Sequence, residues 1–369
     1  MPSSQPAIRR VRKRRSQRSR SQAKVLLAFC LTVAVAVAGV ALLHRPQSIP
    51  NVKSASPASY IVKLNGPIIP SAAGLAVAIA GGLFQRYGLD VSLQSGSSDQ
   101  EALDATKDDN VISVVTASSF LRARADGSRI IAFAGGYVSS PVEFYCLAGS
   151  PIRIPRDFED RIIGYPDNSD IAVVVDAFIT HNEIAASRLA IKHDATSIKD
   201  LLAGNVDILA GRWDVEGAAL RAAGANFRSV SPESFGVHIP GTVYVANERL
   251  FAASREVLVK FLAALSAGWE ATYSDVARSS ATVSDFAGSP LSKEEIAYLL
   301  ERQRPLLRSL DGRFGELETR RWRDLQTLLL KQRLVPNTDD LSTAVNLEVL
   351  KQAGRILFPA LKSYPEPRG

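Results

Sequence analysis

Residues Gly82–Val91 read Gly-Leu-Phe-Gln-Arg-Tyr-Gly-Leu-Asp-Val, so a helix end, a glycine stop and a fresh strand fall within ten residues. Upstream, Tyr60–Leu64 is short and β-rich, Asn65-Gly66-Pro67 breaks it, and the alanine-rich stretch near Ala72–Tyr87 reads as helix. Gly88 suits the left-handed position after a helix, and Leu89–Leu93 resumes as strand. The run therefore marks a β-α-β unit.

The same alternation continues down the chain. Further candidate strands are Val111–Val115, Arg129–Ala134, Val142–Leu147, Arg161–Tyr165, Val206–Ala210 and Thr242–Ala246, with helical patterns between most of them. This order predicts parallel α/β sheets. The last third is helical: Ser292 with Glu295 fits a capping box, and Arg321–Gln332 is amphipathic and stops before Pro336. These helices are expected to cover the first lobe.

The motif Gly-Leu-Phe-x-x-x-Gly-Leu-Asp-Val resembles the opening of the NMT1/THI5-like family of substrate-binding proteins, which includes thiamine-pyrimidine, sulfonate and nitrate receptors of bacterial importers. Ser150–Phe158 followed by Arg161-Ile162-Ile163-Gly164 is similar to the segment where the family's second lobe begins. Leu202–Asp207 resembles a family turn, and Arg321-Trp322 with Leu325 and Leu328 its C-terminal helix. The likeness runs from about Tyr60 to Leu350, with one departure: Glu159-Asp160 stands where a Lys-Gly pair is usual. It implies a type II periplasmic-binding-protein fold with two lobes, a hinge and a cleft between them. The implied organisation is lobe 1 over 60–148, lobe 2 over 149–238 with crossings at Gly149–Pro151 and Gly236–Gly241, and completion of lobe 1 by 239–369. It also implies a small-molecule ligand and an ABC permease partner in the inner membrane.

The net charge of +7 belongs to one end. Ten basic and no acidic residues lie in residues 1–45, which leaves −3 for the remainder. A basic tail over 1–24 suits nucleic acid, but this one leads directly into Val25–Leu43, nineteen residues without a charge. That length spans a bilayer core, with the basic side cytoplasmic and the large domain outside. Ala36-Val37-Ala38 offers the alternative of a cleaved signal peptide. Either way the domain is expected in the periplasm, anchored to the inner membrane or exported, with no nucleic-acid role. Residues 44–59, rich in Pro and Ser, read as a linker.

Catalysis has little support. The four histidines lack metal-ligand spacing, and no nucleophile elbow, phosphate-binding loop or His-Glu-x-x-His occurs. The cysteine-rich motif of the family's pyrimidine synthase branch is absent. No cofactor, metal or enzymatic activity is expected.

Binding has more, because open α/β sheets place ligands at the carboxyl ends of their strands. Asn65 follows the first strand, Ser97 and Ser98 the second, and Thr116 and Ser118 the third, although Ser98 equally reads as a helix cap. Tyr137 follows Ala134-Gly135-Gly136, and Asn168 and Ser169 precede a helix whose N-terminus would attract an anion. Asp167 and Asp170 flank that terminus and would repel a sulfonate or nitrate if they face the cleft. Trp213 offers a flat face for a heterocycle and Glu216 an acceptor for an amino group. The expected protein is a solute-binding component of an importer that prefers a heterocyclic or amine-bearing molecule to an inorganic anion. The alternative is a tethered sensor docking on a signalling receptor.

Overall fold

The computed structural model of the chain describes residues 58–167, 169–287, 291–307 and 314–357. Its strands are, in chain order, β1 (Ala58–Lys63), β2 (Leu89–Gln94), β3 (Val111–Thr116), β4 (Ile130–Gly135), β5 (Val142–Leu147), β6 (Arg161–Gly164), β7 (Leu189–Lys192), β8 (Ile208–Arg212), β9 (Phe227–Val230) and β10 (Thr242–Asn247). They form two five-stranded sheets, ordered β2-β1-β3-β10-β4 and β7-β6-β8-β5-β9. β3 is central and buried at every residue, as its unbroken Val-Ile-Ser-Val-Val-Thr run requires. β2, at the edge, starts with alternating buried and exposed residues.

Two expectations are corrected here. The sheets are mixed rather than parallel: β10 runs antiparallel to β3 and β4, and β5 antiparallel to β8 and β9. Each of these strands follows a crossing. The chain reaches it at the cleft and must run away from the cleft, opposite to neighbours that run toward it. Secondly, β5 pairs in the second sheet, so the first crossing is Gly136–Pro141 and not Gly149–Pro151. A short apolar run such as Val142–Leu147 carries no mark of which sheet it joins.

The return crossing lies between β9 and β10, and the two crossings hydrogen-bond to each other. The Gly136 N–H donates to Thr242 O at 2.7 Å, Gly241 N–H to Tyr137 O at 3.0 Å, and Ser140 N–H to Ile239 O at 2.7 Å. This ribbon is the covalent link between the lobes. Side chains of helix Lys293–Gln303 add ion pairs from its own side: Glu295 with Arg221 at 2.9 Å and Arg302 with Glu143 at 2.5 Å.

The long helix Glu248–Ser274 packs the first sheet through Phe261, stacked on Phe84 at 5.3 Å. It crosses helix Ala73–Ala80 so closely that a Cβ on Gly268 would stand 2.2 Å from Gly74 O. Only glycine permits that approach, and it lays Trp269 against Gly74, whose own Cβ would meet the indole at 2.5 Å. The expected single helix near Ala72–Tyr87 breaks at Gly82, where φ is +64°, and restarts at Leu83. Helix Thr319–Lys331 buries Trp322 edge-on against Phe120, while Phe144, Phe158 and Phe178 cluster on the second sheet.

The departure at Glu159-Asp160 has a local account. Asp160 holds φ +61°, a left-handed conformation suited to the glycine usual there, and its carboxylate accepts from Arg188 Nε at 3.1 Å. Among the described residues no helix is long and apolar enough to cross a membrane, and residues 25–43, where one is expected, lie outside them.

Candidate functional site

A cavity of about 580 Å³ opens between the sheets. Strand ends from both lobes line it: Asn65 after β1, Ser97 and Ser98 after β2, Thr116 at the end of β3, Tyr137 after β4, Ser169 after β6 and Arg212 at the end of β8. Six of the ten expected site residues are thus brought together, which is the arrangement that carboxyl-end loops of two facing open sheets produce.

In the first lobe these residues share one carboxylate. Asp99 Oδ1 accepts from Asn65 Nδ2 at 2.8 Å and from the Thr116 N–H at 2.9 Å, and its Oδ2 accepts from the Thr116 hydroxyl at 2.6 Å. The aspartate ties three strand ends into one rim. Ser98 caps helix Asp99–Ala105, accepting from the Glu101 N–H at 3.2 Å, and Ser97 donates to Glu101 at 2.7 Å. Both hydroxyls therefore also do structural work.

In the second lobe Ser169 caps helix Asp170–His181 and donates to Pro166 O at 2.7 Å. Asp170, the first residue of that helix, lines the cavity. Arg212 faces it from β8 but is already paired: its Nε and Nη2 donate to Asp214 at 2.9 and 2.8 Å, and the Asp214 side chain is 0% exposed. Such a bidentate, desolvated pair is a nearly neutral unit.

Four expected site residues are placed otherwise. Trp213 does not line the cavity; it is 2% exposed and packs between the Tyr137 ring, 6.3 Å away, and the Arg302 guanidinium at 5.6 Å. Along β8 side chains alternate, so with Arg212 toward the cleft its neighbour turns away from it, onto Tyr137 of the crossing and the Arg302 side chain. Glu216 is also away from the cavity, where its Oε2 accepts from the Arg212 N–H at 2.7 Å and burial raises its pKa. Ser118 is buried beside Thr116 and faces a small neighbouring void of about 10 Å³ instead. Asn168 lies outside the described residues.

The cavity is acidic. Asp99, Asp126 and Asp170 line it against Arg122 and Arg212, and the latter is neutralised by Asp214. Burial raises the pKa of Asp170, Arg212 partly offsets this, and the negative charge of Asp99 across the cleft adds to it. Two carboxylates from opposite lobes thus sense each other, which costs energy until a cation enters.

Ile69, Leu75, Val114, Tyr244 and Trp269 give the cavity its apolar and aromatic lining. Asp99, Arg212, Tyr244 and Trp269 carry no role in the sequence reading. Asp99 after Ser98 resembles ordinary capping, and Arg212 is overshadowed by Trp213. Tyr244 and Trp269 sit on a strand and a long helix rather than on loops, where no local signal distinguishes a lining residue from a core one.

Catalytic groups are sparse. Cys146, buried in β5 with its thiol pKa raised by burial, does not line the cavity, and among the described residues no group of three or more His, Cys, Asp or Glu is placed to hold a metal.

No curated protein matches the sequence. Among solved structures, the periplasmic aliphatic sulphonate binding protein SsuA from Escherichia coli superposes with a TM-score of 0.65 at 17% identity, over 79% of this chain and 92% of that one. A zinc-bound ligand binding component of an ABC-type import system from Staphylococcus aureus gives 0.61 at 14% identity, over 81% and 99%. The desulfurization enzyme DSZB gives 0.54 at 13% identity, over 80% and 99%. The fold is the two-sheet α/β fold of periplasmic binding proteins, and an enzyme also uses it. The sequence profile described as NMT1/THI5 like matches residues 69–277, more than half of the chain, which makes this protein a member of the NMT1/THI5-like family.

Proposed function

We propose that the chain is the extracytoplasmic solute-binding component of an ABC importer, which captures an amine-bearing small organic molecule between its lobes and delivers it to a permease. It acts in the periplasm, held at or exported through the inner membrane by residues 25–43. The observation that carries the ligand class is the acidic cleft: Asp99 and Asp170 face it from opposite lobes, while Arg212 is held by Asp214. An ammonium group between the two aspartates relieves their repulsion and draws the lobes together, whereas a sulfonate would add to it. Closure then presents matched lobe surfaces to the permease, and no chemical step is needed. The family membership and the binding-protein neighbours support the transport role, and the buried Cys146 with its raised thiol pKa speaks against a cysteine nucleophile.

Thermal shift of the purified chain against primary amines, aminopyrimidines, alkanesulfonates and nitrate tests the ligand class. A ligand at 100 times its Kd adds about 2.7 kcal/mol of stability. Stabilisation by sulfonate or nitrate and by no amine would sink the preference.

A further inference from the structure

We infer that the ligand carries a carboxylate as well as its amine, at separate ends, and that Arg122 receives the carboxylate. This rests on the reading that the cavity holds an amine between Asp99 and Asp170, and adds a second point of recognition in the same site.

Among the described residues two cations line the cavity, Arg122 and Arg212. Asp214 holds Arg212 by two hydrogen bonds, whereas the partly buried Arg122 side chain makes no hydrogen bond or ion pair with any described residue. Its direction follows from the helix that carries it. Helix Ala117–Ala125 buries Ala117, Phe120 and Leu121 on one side, while Ser119, Arg122 and, at the C-cap, Asp126 line the cavity at three- and four-residue intervals. Arg122 therefore stands on the cavity stripe and not on the core face. Helical Cα–Cβ bonds also tilt toward the N-terminus, and this helix is capped by Thr116, whose N–H and hydroxyl bind Asp99. The side chain thus leans back along the cavity wall toward the acidic rim. A guanidinium whose planar fork of N–H donors is unspent matches the two oxygens of a carboxylate. Asp126, the nearest opposing charge on the stripe, is exposed, so water and salt screen it. Leu103 and Ala123 line the cavity from two adjacent helices and suit a methylene chain. Arg122 lies six residues beyond Thr116, about 9 Å along the axis, and the backward lean of its side chain shortens the gap. An ω-amino acid of intermediate length spans such a gap, and glycine, with its charges adjacent, does not.

The test is calorimetric titration of the full chain in detergent with the ω-amino acids from glycine to 6-aminohexanoate, each beside the alkylamine and the alkanoate of the same length. In a cavity lined by Asp99, Asp126 and Asp170, a carboxylate weakens the binding of an amine unless a cation receives it. At least one amino acid longer than glycine should instead bind roughly tenfold more tightly than its alkylamine, the reach of one charge-assisted hydrogen-bonded contact. Arg122→Gln should abolish that gain and, by removing a like charge, tighten the alkylamine slightly. The melting point of the empty variant should equal that of the parent, because the guanidinium holds no other group in the fold. Alkylamines that match every amino acid, a gain that survives Arg122→Gln, tightest binding by glycine, or a lower melting point of the empty variant each overturns the carboxylate subsite. Alkylamines that bind with no gain from the carboxylate leave the acidic amine site standing without this subsite. Alkanoates that bind through Arg122 with no gain from the amine keep the subsite and reject the amine site, and silence of the whole series rejects both.

Discussion

Substituting Asp214 by Asn removes the only partner that Arg212 has for its guanidinium among the ion pairs of the described residues, and leaves that cation facing the cleft. The pair is closed at 2.8 Å, the Asp214 side chain is 0% exposed and that of Arg212 19%, so solvent replaces little of what is lost. Burial works against the Arg212 charge, yet Asp214 holds the guanidinium more firmly protonated than usual. Breaking such a pair by deleting one member costs about 3 kcal/mol, at the low end of the buried range because Arg212 keeps some exposure. For a domain this large that corresponds to a melting point roughly 6–9 °C lower. The cleft also gains one positive charge, which at an effective dielectric between protein and water shifts ligand affinities by about 1 kcal/mol, weakening amines and admitting sulfonates. Differential scanning calorimetry and titration with an amine and an alkanesulfonate read both effects. The double variant Arg212→Met with Asp214→Leu should recover most of the melting point, since replacing a buried pair entirely is often close to neutral. A single variant that melts like the parent and keeps its selectivity would refute the assignment of Asp214 as counter-ion.

Other outcomes follow from the same geometry. Because the native pKa of Asp170 is raised, its contribution to stability is fully present below its unfolded pKa and is lost as pH rises through the native value. Asp170→Asn should therefore raise the melting point of the empty chain at neutral pH, while amine affinity, which needs the ionised carboxylate, falls as the parent is acidified and stays low and flat in the variant. Trp213→Ala should cost about 3 kcal/mol in urea denaturation as a core truncation; a full-strength fold with weakened ligand binding would return Trp213 to the cleft. Gly74→Ala forces a methyl against the Trp269 indole and should destabilise by roughly 1–3 kcal/mol, visible as a lower denaturant midpoint. Arg221→Ala deletes the contacts of Arg221 with Glu295 and the Tyr298 ring, and should expand the unliganded chain in small-angle scattering with under about 1 kcal/mol of stability change; an unaltered profile would remove that contact from control of the lobes.

The sequence was most legible where local chemistry decides the outcome. Gly88 takes its left-handed turn with φ +74°, and Ser292 caps its helix by accepting from the Glu295 N–H at 3.1 Å. It was least legible where pairing is long-range. β7 and β9 are four-residue edge strands, too short for a periodic signal, and were not foreseen. The site shows the same division. Loop residues such as Asn65, Thr116 and Ser169 are placed at the cavity by following strands, whereas Trp213 is the more conspicuous side chain and turns inward. Trp269 reaches the cavity only because Gly268 and Gly74 let two helices meet, a contact between residues far apart in the chain.

The crossing ribbon contributes Gly136, Tyr137 and Thr242 to the cavity wall, so whatever fills the cavity leans on the pivot itself. A load placed on a fulcrum exerts little leverage; it acts by stiffening the joint. Occupancy would then be written into the exchange rates of the Gly136, Ser140 and Gly241 amides, whose hydrogen bonds hold the ribbon together, before any change in the distance between the rims. The back of the cleft would then register occupancy ahead of its rims.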